Sequence, residues 1–360
     1  MRVKQIHLLI FGLIALKVLY ALTRYYFEDL GFGIYVIGWD EGVWQEGSIY
    51  FFENGLGLDT MKGFASTRAS FLLLGWPFLV GITHLVLGLS YLNVLWLKML
   101  LFLLAAKGLY ALIISKRYSI KIAYFGVIFL AIYEPLIKSD ISYMRDDFIV
   151  YLIIILLWLI QVIPMVKSIL LRIFSITIFL FLSYILAFTR PFAILVMISL
   201  QIFYFGHIKF KHFVLIGLII LFINKITLYL GLFDLVRYSF GFASRYEFHP
   251  IDQIFLIFKY YIGPLPWNMI GIDSGINPLW YGFTLVLILF GFTRKEFYHQ
   301  LFINWKVIIA LFITGCLPYI ISHQQIDAVG PRQFAMVGPF LFIILYNELL
   351  SKVKFDYNKS

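Results

Sequence analysis

Apolar runs long enough to cross a bilayer recur along this chain, near residues 8-23, 94-114, 122-137, 148-163, 172-188, 192-206, 213-230, 279-292, 307-321 and 334-350. Each reads as a membrane-spanning helix, so about ten spans are expected in an all-α, polytopic integral membrane protein. Composition agrees, because only 13% of the residues are charged, roughly half the share a soluble domain carries. Residues 1-360 are read as a single transmembrane domain.

Charge sets the expected topology. The basic start, Met1-Arg2-Val3-Lys4, followed by an apolar run from Leu8, has the outline of a signal peptide. The run continues to about Thr23, broken only by Lys17, and no small-x-small cleavage site follows, so it is read as a retained first span. The stretch from Phe71 to Ser90 is also apolar, but Gly75, Pro77, Gly81 and Gly88 interrupt it. Counted as a span, it would put Lys116, Arg117 and Lys121 outside, against the positive-inside rule. Read as a re-entrant or surface-lying helix, it leaves Lys116/Arg117/Lys121, Lys167/Arg172, Lys209/Lys211, Arg294/Lys295/Lys306 and Lys352/Lys354 all cytoplasmic, with both termini. A multi-pass protein of a plasma (inner) membrane is expected, and the Ile-, Phe-, Lys- and Tyr-rich composition suggests a bacterial source. Lys17, Lys98 and Lys107 fall inside apolar runs, near helix ends or able to snorkel. The net charge of +10 follows from the cytoplasmic lysines, and no nucleic-acid motif accompanies it. Membrane lipids, not nucleic acid, are the expected surroundings. The single cysteine, Cys316, excludes an intrachain disulfide.

The outer face then holds nearly all the acids and most of the arginines, among them Arg24, Arg68, Arg145, Arg190, Arg237, Arg245 and Arg332. Arginine is the better bidentate partner for phosphate, and sorting disfavours it here without a use. A lipid-linked phosphate or pyrophosphate at the outer leaflet is the natural ligand of the set. The competing reading pairs each arginine with a nearby acid, as Arg145 with Asp146 or Asp147. Two outer loops are long, about 24-93 and 231-278, and loops of that length are usually functional or carry helices of their own. The first contains Gly38-Trp39-Asp40-Glu41-Gly42-Val43-Trp44, an acid pair between two tryptophans just beyond the first span. Carboxylates are costly beside a bilayer unless wet or partnered, which points to chemistry at the membrane surface; the plainer reading is a hydrated loop with interfacial aromatics. His249 and His323 read as hydrogen-bonded loop histidines. No HExxH, Walker loop, GxGxxG before a strand or cysteine cluster occurs, which argues against zinc proteases, nucleotide hydrolysis and dinucleotide cofactors.

Four stretches carry a resemblance. They are Trp39-Asp40-Glu41 with Tyr50-Phe51-Phe52-Glu53-Asn54-Gly55, then Tyr133-Glu134-Pro135 with Ser139-Asp140-Ile141-Ser142-Tyr143-Met144-Arg145-Asp146-Asp147, Thr189-Arg190-Pro191-Phe192, and Gly330-Pro331-Arg332-Gln333-Phe334. A first span followed by an outside loop opening on an acid resembles the GT-C superfamily of membrane glycosyltransferases, and the 133-147 stretch, at the outer end of the third span, resembles the place where those enzymes often carry a second acid. The Thr189 and Gly330 motifs resemble bacterial polysaccharide-cluster membrane proteins, O-antigen or capsule polymerases included. No DxD motif is present, and the large C-terminal soluble domain of oligosaccharyltransferases is absent. The resemblance implies a polyprenyl-phosphate or polyprenyl-pyrophosphate sugar donor, a lipid-linked or surface glycan acceptor, and a role in surface polysaccharide biosynthesis at the cell envelope.

In that chemistry an acceptor hydroxyl attacks the anomeric carbon, a carboxylate takes its proton, and cations stabilise the departing phosphate. Asp40 is the expected base, with Glu41 orienting or substituting for it. Asp140 and Asp146 follow, able to orient the acceptor or to hold a divalent cation, magnesium or manganese; no cofactor is required by the residues. Arg68, Arg145, Arg190 and Arg332 are the phosphate candidates, with Arg237 and Arg245 of the second loop beside them. Acids at 146 and 147 have a plainer explanation in the dipole of the helix they begin. A repeat-unit polymerase is the alternative. A lipid-linked glycan transporter or flippase is the third reading, and it calls for ionisable residues within the spans and an internal repeat.

Overall fold

The computed structural model describes residues 2–28, 39–67, 74–116, 118–132 and 145–201, with the single positions Leu136, Tyr143, Leu218, Leu221, Lys225, Leu228, Tyr229 and Thr293. The described part is all-helical. Its elements are α1 (Arg2–Glu28), α2 (Trp39–Asn54), α3 (Leu58–Thr67), α4 (Gly75–Leu87), α5 (Tyr91–Ser115), α6 (Ile120–Ile132), α7 (Asp146–Val162), a 3₁₀ turn (Ile163–Met165), α8 (Ile169–Thr189) and α9 (Pro191–Ser199). Four helical segments are long and apolar enough to cross a membrane: Gln5–Thr23, Tyr91–Ser115, Asp146–Met165 and Ile169–Thr189. They coincide with the expected spans at 8-23, 94-114, 148-163 and 172-188. Those at 122-137 and 192-206 are described only in part, and the later ones lie outside the described residues apart from a few single positions, as does the loop at 231-278.

Between the first two spans stand α2, α3 and α4. The acid pair expected at the head of a loop instead opens a helix, and Asp40 and Glu41 occupy the first turn of α2. Negative charge is favoured there by the helix dipole. The helix ends at Asn54, followed by Gly55 at φ 77°, the left-handed position where glycine carries no steric penalty. With 13 residues, α4 reaches about 20 Å, short of the roughly 30 Å hydrocarbon core. Of the residues that interrupt the 71-90 stretch, Gly75, Pro77 and Gly81 are its packing face, and Gly88 ends the helix at φ 91°. A Cβ on Gly47 of α2 would sit 3.1 Å from Pro77, and one on Gly81 would sit 2.5 Å from the Phe51 Cβ.

The centre is the α5–α7 pair. Lys98 lies beside Asp147, Gly108 beside Trp158 and Ser115 beside Gln161, so the two helices run parallel. The α1 helix runs antiparallel to α5, with the Lys17 ammonium 4.8 Å over the Phe102 ring and Ala21 packed with Leu95 and Met99. Neither Lys17 nor Lys98 snorkels: they are 5% and 1% exposed, a correction to the sequence expectation. Each ammonium finds a ring or a carboxylate inside the bundle, which a short path to the interface would not provide.

Only the last turns of α8, from Ser183 to Thr189, are buried against the bundle. There Gly75 allows α4 to touch the α8 backbone: an added Cβ would fall on Ile185 O and Thr189 Oγ1. Gly75→Val is therefore expected to loosen α4 and cost about 1–3 kcal/mol, as overpacking does. Gly12→Ala on α1, with nothing within 4 Å of the new methyl, is expected to be neutral or slightly stabilising. Thermal unfolding of the two variants in detergent checks this, and equal melting temperatures would refute the close approach.

Candidate functional site

Proline fixes where α8 stops. The residue before a proline is pushed out of helical conformation, so Pro191 forces Arg190 into an extended backbone (φ −155°, ψ 101°) and starts α9 in its own right. Arg190, half-buried, thus marks the corner between two helices. The start of α7 lies against this corner. Arg145, 8% exposed, donates from Nη1 to Thr189 O at 2.9 Å, and its guanidinium lies 4.2 Å over the Trp44 ring of α2. Three stretches far apart in sequence, those containing Trp39-Asp40-Glu41, Arg145-Asp146-Asp147 and Thr189-Arg190, meet at one end of the bundle.

Register orders the face of α2 that packs. In an α-helix, positions i, i+3 and i+7 share a face. Trp44, Gly47 and Phe51 form that stripe, buried against α4 and Arg145, with Ser48 buried beside it, while Gln45 is exposed and Phe52 half-buried.

The second acid cluster divides into different roles. Asp147 is 0% exposed and accepts from Lys98 Nζ at 3.1 Å, while that ammonium also lies 5.0 Å over the Trp76 ring. Trp76 Nε1 in turn donates to Tyr143 O at 2.7 Å and its ring stacks 4.8 Å from Phe148. Asp147 is thus a structural anchor joining α5 to α7, and Lys98 is a partner for it that the neighbouring residues in sequence do not suggest. Asp146, 5% exposed, lies in the first turn of α7. Sequence reasoning set Lys98 aside, although a lysine well inside an apolar run is itself a signal for a buried partner.

Among the described residues no three His, Cys, Asp or Glu side chains gather as metal ligands would. Asp140, Arg68, Arg237, Arg245 and Arg332 lie outside the described residues. The chain matches no family model, no curated protein and no solved structure. What stands is an all-helical described region with four helices long and apolar enough to cross a membrane, and an acid-bearing helix docked on an arginine at one end of the bundle.

Proposed function

We propose that the chain transfers a sugar from a polyprenyl-phosphate or polyprenyl-pyrophosphate donor to a lipid-linked or surface glycan, at the extracytoplasmic face of a bacterial inner membrane. One observation carries this reading: Trp44 stacks on Arg145 and so docks the helix opened by Asp40-Glu41 against the corner that holds Thr189-Arg190. An acid and arginines at one membrane-edge corner are what glycosyl transfer from a lipid phosphate needs. The acceptor oxygen bonds to the anomeric carbon, the bond from that carbon to the phosphate oxygen breaks, and Asp40 takes the acceptor proton. In this reading Arg190 faces the departing phosphate, with Arg68, Arg237, Arg245 and Arg332 as further partners for the charge it gathers. Arg145, already bonded to Thr189 O and Trp44, acts chiefly by holding α2 in place.

A second reading has its own observation. The Lys98–Asp147 pair is buried within two spanning helices, and intramembrane ion pairs often mark transport pathways. Deleting the gene in its native host and reading the envelope glycans on a gel separates the readings. Loss of the glycan or of one sugar from it is expected. Loss of long chains with single repeats retained would mean repeat-unit polymerisation instead. Intact lipid-linked glycan stranded on the cytoplasmic leaflet would mean transport. Unchanged glycans would end the proposal.

A further inference from the structure

Among the described residues, a buried histidine stays outside the chemistry above. His84, near the end of α4, is 0% exposed. Phe52 of α2 stands edge-on to its ring at 6.4 Å, and Tyr143 lies 6.5 Å away on another side, itself 6.1 Å from Tyr91. His84 Nδ1 is 3.4 Å from Gly88 O. A carbonyl oxygen only accepts, so this contact puts the proton on Nδ1 and leaves Nε2 a bare lone pair. Nε2 is buried and has no hydrogen-bond partner among the described residues. Burial holds the imidazole pKa below its ordinary value, against the smaller opposing effect of the Gly88 contact, so the ring is neutral near pH 7. The backbone around it is fixed: Asn93 Nδ2 donates to Leu87 O and Gly88 O at 2.9 and 2.8 Å, and the Tyr143 carbonyl is tied to Trp76.

A buried acceptor with nothing to accept is destabilising, and a phenylalanine would fill the same place without that penalty. We propose that His84 Nε2 is the acceptor for a hydroxyl of a bound sugar, whose apolar ring face lies against Tyr143 and Tyr91. The lone pair selects an O–H donor and rejects an anionic phosphate, which offers only acceptors. The aromatic walls select a ring with a C–H face. Half-buried Phe52 is the side chain that turns aside as the sugar enters. The sugar as ligand class rests on the glycosyl-transfer reading; the acceptor role of Nε2 rests on geometry alone.

The test uses the full chain in lipid nanodiscs and two probes, methyl β-glucoside and its fully O-methylated derivative, which keeps the ring and lacks O–H donors. Thermal shifts are recorded for wild type, His84→Phe and His84→Gln. The glucoside, and not the methylated probe, is expected to stabilise wild type. His84→Phe is expected to melt no lower than wild type without ligand and to bind the glucoside about five- to tenfold more weakly. His84→Gln, whose amide oxygen still accepts, is expected to retain part of the response. A His84→Phe protein that melts well below wild type would mark a packing histidine and overturn the proposal. So would an undiminished glucoside response in that variant, or equal responses of wild type to both probes. None of these readouts requires transfer, so glucoside binding through His84 in a chain that makes no glycan would sink the transferase reading alone.

Discussion

Asp40→Asn is expected to lower glycan formation about 10²–10⁴-fold, the range a well-placed general base supplies, with the protein still inserted at wild-type level. The asparagine keeps the size and the helix and removes only the basic oxygen. Turnover is expected to fall with little change in donor affinity, because proton removal belongs to the transition state and not to ground-state binding. Glu41→Gln is expected to cost less. In this reading Asp40 is the base, and Glu41 only orients it or substitutes for it. Complementation of a deletion strain, with glycan quantity and length read on a gel and membrane insertion followed by immunoblot, measures both. Wild-type glycan from both variants would show that the acid pair serves the helix dipole of α2 and nothing more.

The spanning helices at 8-23, 94-114, 148-163 and 172-188 were legible because their signal is local: enough consecutive apolar residues, with charges at the ends. The break in the 71-90 stretch was legible for the same reason, since Gly75, Pro77 and Gly81 stand in it. Their purpose was not, because it depends on Phe51, Pro77 and Ile185 meeting across helices. Charged partners failed in the same way. Arg145 lies over the Trp44 ring, and Asp147 pairs with Lys98, 49 positions away. Snorkelling follows from depth in a run; burial follows from a partner, and no spacing rule names a partner on another helix. His84 carried no sequence signal at all, being one histidine in an apolar stretch.

Removing either member of the Lys98–Asp147 pair alone is expected to cost about 3–5 kcal/mol, because a charge would remain inside the bundle without its counter-charge. Asp147→Leu takes the carboxylate from a buried ammonium that lies over the Trp76 ring, and Lys98→Met takes the ammonium from a carboxylate at 0% exposure. Removing both should recover most of the loss, since well-packed apolar replacements of a buried pair are often neutral or stabilising. A double-mutant cycle on thermal or denaturant unfolding in detergent measures the coupling. Additive losses in the double variant would show that the two residues do not form the pair. The same double variant decides what the pair is for. If Lys98 and Asp147 only join α5 to α7 and hold the Arg145 corner in register, Lys98→Met/Asp147→Leu folds and still builds the glycan. If it folds and makes none, the buried charges themselves take part, and the transport reading gains at the expense of transfer at the Asp40 corner.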